Sequence, residues 1–489
     1  MTLLKGIGPE RVMHYFEEIC KIPHGSGNTK QISDYLVSFA KQRDLWVYQD
    51  EHDNVIIKKP ACKGYETAPT VIIQGHIDMV LERDDDSATD PEQQGLDLCY
   101  ENGFLFAKGT TLGGDDGIAI AYGLAILESD SILHPALEMV FTSDEEIGML
   151  GAAALDMSKL SGKIMLNLDS EEEGHLLVGC AGGMTAVVEL SSLTRETVPG
   201  IPVQVELRGL TGGHSGVEIH KQRANANVVM GRILERIAER MELRLVEVNG
   251  GAKDNAIPRS AVATLVVKDL TEMDLLKGVI DEIGSELKAE WDTVDPEMEL
   301  KAEVITVSEE NEDIAYFCRD DARRIIGLLR LLPAGVQRMS DVIPGMVETS
   351  LNLGILRTEG NSVRASLCLR SSVTRAKEEL AGRVKRLAEL LGASYSEVGD
   401  YPGWEIRKES PLRELMTDIY REKYGEDPIV ESMHAGVECG LFAAAIPDFD
   451  CVSFGPNLLD IHTTQERMDV ASVERIWEYL LAILERIKE

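Results

Sequence analysis

At 489 residues the chain exceeds what one hydrophobic core ordinarily supports, so two domains are expected, or three. Hydrophobic residues make up 44% and charged residues 27%, the balance of a soluble globular protein. A formal net charge of -35 argues against nucleic acid or an anionic membrane as partner, and it leaves many carboxylates as ligands for cations. The eight cysteines (Cys20, Cys62, Cys99, Cys180, Cys318, Cys368, Cys439 and Cys451) form no C-x-x-C pair and read as reduced thiols. Neither a secretory signal nor an apolar run long enough to span a membrane is present, so the cytoplasm is the expected compartment.

In chain order, residues 9–22 open with Pro9 and place Val12, Tyr15, Phe16 and Ile19 at helical spacing, and 29–42 form a second amphipathic helix. Strands are expected at 55–58 and 70–74, the second a β-branched run that stops at Gly75-His76. A helix at 117–128 precedes a strand at 137–142, and another strand covers 163–168 and stops at Asp169. Strands alternating with helices predict an α/β sheet, with the site at the carboxyl ends of its strands. Cys180-Ala-Gly-Gly reads as a flexible break, after which the texture changes. Residues 201–209, 243–249 and 260–268 alternate like antiparallel strands, with a helix at 223–241. A long, mostly helical stretch follows, and a strand–helix pattern returns at 348–392. Strands at 428–433 and 449–454 and a helix at 470–488 resume the α/β texture. We therefore expect a discontinuous domain, 1–181 and 400–489, with a mixed sheet sandwiched by helices. An inserted α+β domain at 182–399, of two similar halves, interrupts it.

Chemistry-bearing residues cluster at the predicted strand ends. His76-Ile-Asp78 places a carboxylate two residues from an imidazole, on the same side of a strand. A carboxylate behind a histidine fixes its tautomer and raises its basicity as a ligand. Gly109-Thr-Thr-Leu-Gly-Gly-Asp115-Asp116 lacks the G-K-[ST] ending of a phosphate loop, and its aspartates suit cations better than anions. Ser143-Asp-Glu145-Glu146 offers one glutamate to bind a metal and a neighbour to take a proton. Asp169 is the first polar residue after an apolar strand, and His462 follows a strand and a loop near the C-terminus. Each cluster also has an ordinary structural reading, as a satisfied histidine, a capped helix or a solvated turn. Together they supply donors for two divalent ions sharing a carboxylate. No G-x-S-x-G elbow and no H-E-x-x-H helix occurs.

G-H-I-D-M-V, G-T-T-L-G-G-D-D-G, S-D-E-E-I-G, N-L-D-S-E-E-E-G and H-A-G-V-E-C-G, in this order, resemble the aminoacyl-histidine dipeptidases. These belong to the two-zinc family of aminoacylases, carboxypeptidases and carnosinases. The resemblance runs from about residue 10 to the C-terminus. It implies that His76, Asp115 and Asp169 bind one metal and that Asp115, Glu146 and His462 bind the other, with Asp115 bridging. Asp78 would orient His76, and Glu145 would be the general base. The inserted domain would be a lid, with His214 (L-T-G-G-H-S-G) stabilising the oxyanion within its own chain. Asn255, Arg370 and Gly436 would contact substrate, Arg370 through a carboxylate. The sequence departs from the family pattern at Asp116, where Asn is frequent, and at Gln222, where Gly is frequent. It departs again after His462, where Thr-Thr-Gln-Glu replaces Ser-Pro-Asp-Glu.

The resemblance implies hydrolysis of dipeptides of the Xaa-His type, with broad specificity, by metal-activated water and a glutamate base. The cofactor would be two divalent ions, zinc, with manganese or cobalt as alternatives. The chain would act as a monomer or homodimer. The rival activities are an N-acyl-amino-acid hydrolase and a tripeptidase. The rival outside enzymes is a non-catalytic metal-binding protein, against which stands the presence of every proposed ligand together with Asp78 and Glu145.

Overall fold

The computed structural model describes residues 3–305 and 313–488. The chain divides into two compact units: Met1–Cys180 with Trp404–Ser432 and Val437–Glu489, and Ala181–Gly403 with Met433–Gly436. The α/β architecture with an inserted α+β region is present.

The first unit is built on an eight-stranded sheet. Its order is Trp46–Gln49, Val55–Lys59, Leu137–Thr142, Val71–His76, Ile164–Asn167, Asp450–Ser453, His175–Cys180 and Ile429–Met433. The central pairs, 71–76 with 137–142 and with 164–167, and 164–167 with 450–453, are parallel. The flanking pairs, 46–49 with 55–59 and 55–59 with 137–142, are antiparallel, so the sheet is mixed. Strands 71–76 and 137–142 are buried at every position, as continuous apolar runs require when both faces are covered. Helix Gly114–Glu128 packs on strand 71–76, Lys30–Lys41 on the first two strands, and Pro411–Tyr424 on strand 450–453 and on Val470–Arg486. Because the central strands run parallel, His76, Thr142 and Asn167 end at one edge, and the polar residues that follow them emerge together.

The second unit carries a nine-stranded sheet whose paired strands are antiparallel, in the order 299–304, 201–208, 261–267, 245–250, 347–359, 362–371, 182–190 and 394–401, with 335–339 added beside 347–359. Helices Ala226–Arg240, Leu270–Trp291, Arg319–Leu331 and Thr374–Leu390 bury their apolar faces in one core with it.

Two expectations change. Cys180-Ala-Gly-Gly is not a loop: strands His175–Cys180 and Gly182–Leu190 abut, with Ala181 alone between them. The Ala181 N–H is shared between the carbonyls of Met433 and Ala435. The stretch read as mostly helical contains strands Glu299–Val304, Asp313–Phe317 and Gly335–Met339. Their charged, half-exposed pattern conceals the strand period. All eight cysteines are free thiols. Among the described residues no helix is long and apolar enough to cross a membrane.

Candidate metal centre

His76 ends its strand buried, with 1% of its surface exposed. Its Nδ1 lies 3.0 Å from the Asp78 backbone carbonyl and 3.4 Å from Asp78 Oδ1, partners that hold a proton on Nδ1 and turn Nε2 toward the acids as the atom that could bind a metal. That Nε2 faces Asp115 Oδ1 at 3.0 Å and Asp169 Oδ1 at 3.6 Å. Gly75 is required one residue earlier. A Cβ there would meet Asp116 Oδ2 at 2.4 Å and Ala119 Cβ at 2.5 Å, so only glycine lets the strand approach the helix this closely.

Asp115 and Asp116 sit at the start of helix Gly114–Glu128, where both depart from helical dihedrals and the peptide between them is cis. The second oxygen of Asp115, Oδ2, lies 3.1 Å from His462 Nε2, which is in turn 2.9 Å from Glu146 Oε1. The two oxygens of Asp115 therefore face two different histidines. One ring proton cannot satisfy both carboxylates beside His462, and Glu146 Oε1 is left buried without a hydrogen-bond partner.

Among the described residues, three trios of donor atoms lie within 4.8 Å of one another: His76, Asp116 and Asp169; His76, Glu145 and Glu146; and Asp115, Glu146 and His462. Four ligands at about 2.0–2.1 Å around zinc stand about 3.3 Å apart, close to the spacings seen here. Mixed imidazole and carboxylate donors at these separations fit a divalent transition metal.

The electrostatics follow from packing so many acids together. Burial opposes the His76 imidazolium, but Asp115, Asp169 and Asp78 outweigh it and raise its pKa well above the usual value. His462 is raised to about 10 by Asp115 and Glu146. Burial raises Asp115, yet the two histidines prevail and hold it low. Burial lifts Glu145 to about 9 and Asp169 to about 6. Asp116, one residue past Asp115, accepts the His76 N–H, and burial with Asp169 nearby pushes it well up.

Asp78 does more than face His76. It accepts from the N–H groups of Glu145 (3.0 Å) and Glu146 (3.3 Å) and from Ser26 Oγ (2.8 Å), so one carboxylate holds both the histidine and the two-glutamate turn. Sequence reasoning missed the layer beneath. Gln74, Thr142 and Asn167, the last or near-last residues of three adjacent strands, are joined by hydrogen bonds to one another and to Glu438. Glu438 is fully buried, and burial raises it to about 8. Glu171, raised to about 7 by burial and by Asp115 and Asp169, was also missed. Its place in a run of acids hid it, since such a run reads as solvated surface.

On the second unit, His214 pairs in a two-residue bridge with Ala256. Its Nδ1 accepts from the N–H groups of Gly216 (3.3 Å) and Val217 (3.2 Å), leaving the proton on Nε2. Burial and Arg370 lower its pKa, which keeps the ring neutral. Arg370 is buried on strand Ser362–Ser371. Its Nη1 donates to the Tyr401 hydroxyl (3.0 Å), and its Nε has no hydrogen-bond partner. His434, which the sequence reading passed over, has Nε2 2.8 Å from Ser350 Oγ and an unpartnered Nδ1. Burial, Arg370 and His214 lower it to about 3. Asn255 lends its backbone carbonyl to Ser215 N–H, and Gly436 ends the segment Met433–Gly436 of the same unit.

Residues 72–486 match the sequence profile of peptidase family M20/M25/M40. A cytosol non-specific dipeptidase from Escherichia coli (strain K12) is 37% identical over 489 residues, covering 100% of this chain and 99% of its own. The crystal structure of an aminoacylhistidine dipeptidase from Vibrio alginolyticus is similar with a TM-score of 0.93 at 38% identity, covering 99% of this chain and 98% of that one. An aminopeptidase structure from Bacillus cereus ATCC 10987 shares the fold, with a TM-score of 0.56 at 16% identity, covering 99% of this chain and 100% of that one.

Proposed function

The chain belongs to peptidase family M20/M25/M40, and from that premise we propose that it is a dipeptidase of broad specificity, accepting Xaa-His peptides and working with two divalent ions. The observation that carries this reading is the arrangement around Asp115, whose two oxygens face His76 and His462 separately. His76, Asp115 and Asp169 would hold one ion, and Asp115, Glu146 and His462 the other. When bound, the ions, zinc by preference, supply positive charge that ionises Glu145 and Lewis acidity toward the water and the peptide carbonyl.

The protein's own groups do the rest. Glu145 takes the proton of the attacking water and returns it to the leaving amine. Asp78 fixes the turn from which Glu145 acts, through its bonds to the Glu145 and Glu146 N–H groups. His214, neutral with its proton on Nε2, is the proposed donor to the oxyanion. Arg370, with a buried and unpartnered Nε, is the proposed partner of the substrate carboxylate, and Asn255 and, through its backbone, Gly436 are the proposed contacts beside it. The dipeptidase names of the Escherichia coli and Vibrio alginolyticus relatives support the substrate class, and the cytosol in the first name supports a cytoplasmic setting.

The test is hydrolysis of a dipeptide panel, histidine-containing members included, by metal-stripped protein with and without added zinc, manganese or cobalt. We expect cleavage of free dipeptides only with metal, and none of N-acylated analogues. Cleavage of acylated amino acids alone would make the protein an aminoacylase. Preference for tripeptides would make it a tripeptidase, and no turnover with metal bound would leave a binding protein.

A further inference from the structure

Beside the metal centre lies a carboxylate that none of these roles uses. Glu466, four residues past His462, is buried, with 2% of its surface exposed. Its Oε2 accepts from the N–H groups of Leu112 (2.8 Å) and Gly113 (3.1 Å). Its Oε1 accepts from those of Gly114 (2.8 Å) and, at longer range, Asp115 (3.5 Å). Four successive backbone donors converge on one side chain that is 352 residues away from Gly114 in the chain. They converge because Gly113 takes a left-handed conformation, φ 68°, before the helix begins, which turns consecutive N–H groups to the same side.

The loop that presents Asp115 reads Thr-Thr-Leu-Gly-Gly, and paired glycines give it little stiffness of its own. Yet Asp115 has to offer one oxygen to His76 and the other to His462, and a small rotation of its backbone would spoil both. We propose that Glu466 is a positioning residue for the metal pair: by gripping residues 112–115 it fixes the backbone that carries Asp115, and it ties that backbone to the turn that carries His462. The proposal rests on the two-metal reading above. It assigns Glu466 no contact with substrate. Its oxygens are committed to the loop, and its effect passes through Asp115 and His462.

The experiment compares Glu466→Gln with Glu138→Gln. Glu138 is an equally buried carboxylate that accepts from the N–H groups of Ser161 and Gly162 and pairs with Lys58, near the start of strand Leu137–Thr142 and away from its site end. The glutamine amide at 466 sets a donor against two of the four N–H donors, so the loop must shift. Zinc affinity is read by competition with a chromophoric chelator, alongside thermal midpoints of the metal-free proteins and the kcat and KM of the loaded ones. We expect Glu466→Gln to weaken zinc binding by about 10–100-fold and to lower kcat with KM little changed. Glu138→Gln should lose thermal stability but keep zinc affinity within about twofold of wild type. Glu466→Asp, which retains the charge one methylene back, should lose less zinc affinity than Glu466→Gln, and it supplies the test if the glutamine variant does not fold. Wild-type zinc affinity in the folded Glu466 variants, with only stability reduced, would overturn the positioning role and leave Glu466 a structural staple. Wild-type protein that binds fewer than two zinc ions would overturn the two-metal reading, and this role with it.

Discussion

His462 is the residue whose behaviour most directly reports on the centre. Its imidazole is raised to about 10 by Asp115 and Glu146, so at neutral pH the metal-free site holds it as the cation. A metal ligand must offer a free lone pair, so an ion entering the site has to displace that proton. The sign is then fixed: binding releases a proton, and apparent affinity rises with pH, by about tenfold per unit for each proton displaced, until His462 is neutral by itself. Calorimetric titration with zinc in buffers of different ionisation enthalpy should show proton release at neutral pH. Affinity independent of pH, with no release, would show that His462 is not a ligand. At this scale the sequence was informative. Every proposed ligand lies in a motif that the family resemblance singled out, while each cluster taken alone also had an ordinary structural reading. What the motifs concealed was sharing. Asp78 was read as a partner of His76 alone, while it also holds the N–H groups of Glu145 and Glu146. That second duty spans 67 residues of chain and becomes visible only when the two parallel strands are laid side by side.

Elements, rather than residues, set the distances in the centre. Strand Val71–His76 and helix Gly114–Glu128 touch at Gly75, where a Cβ would stand 2.4 Å from Asp116 Oδ2 and 2.5 Å from Ala119 Cβ. Ala119 sits on rigid helical backbone and cannot give way. Gly75→Ala is therefore expected to push strand and helix apart, at a cost of about 1–3 kcal/mol in stability, and to weaken metal binding because His76 and Asp115 move with the two elements. Thermal unfolding of the metal-free protein and a zinc competition assay measure the two effects. An unchanged midpoint would mean that the contact is looser than the structure has it. Helix and strand positions were legible wherever the apolar period was clean, as at 10–19, 71–76, 137–142 and 226–240. They were not legible in the half-exposed strands 299–304 and 335–339, whose charged residues blur the alternation. Gln222 shows the opposite case. The departure from glycine was visible in the sequence, and its backbone does lie in the left-handed region, φ 51°, that glycine enters without strain.

For the whole molecule, the return of α/β texture after residue 404 revealed a discontinuous architecture, because buried parallel strands are continuous apolar runs and the inserted antiparallel ones alternate. The four residues Met433–Gly436 group with Ala181–Gly403, and nothing in their composition signals it. Contacts across hundreds of residues, such as Glu466 with the loop at 112–115 or Glu438 with Gln74, likewise leave no local trace. The charge of -35 reads differently once the fold is known. Part of it is concentrated at one end of one sheet, where Asp115, Glu145, Glu146, Asp169 and Glu171 crowd around His76 and His462.

Glu145 is proposed as the group that moves the proton while its neighbours hold the ions. Glu145→Gln keeps the size of the side chain and removes its basicity. We predict that the variant retains the wild-type metal content and loses about 10²–10⁴-fold in kcat on a dipeptide that the wild type cleaves. Turnover near the wild-type rate with the metals in place would contradict the account.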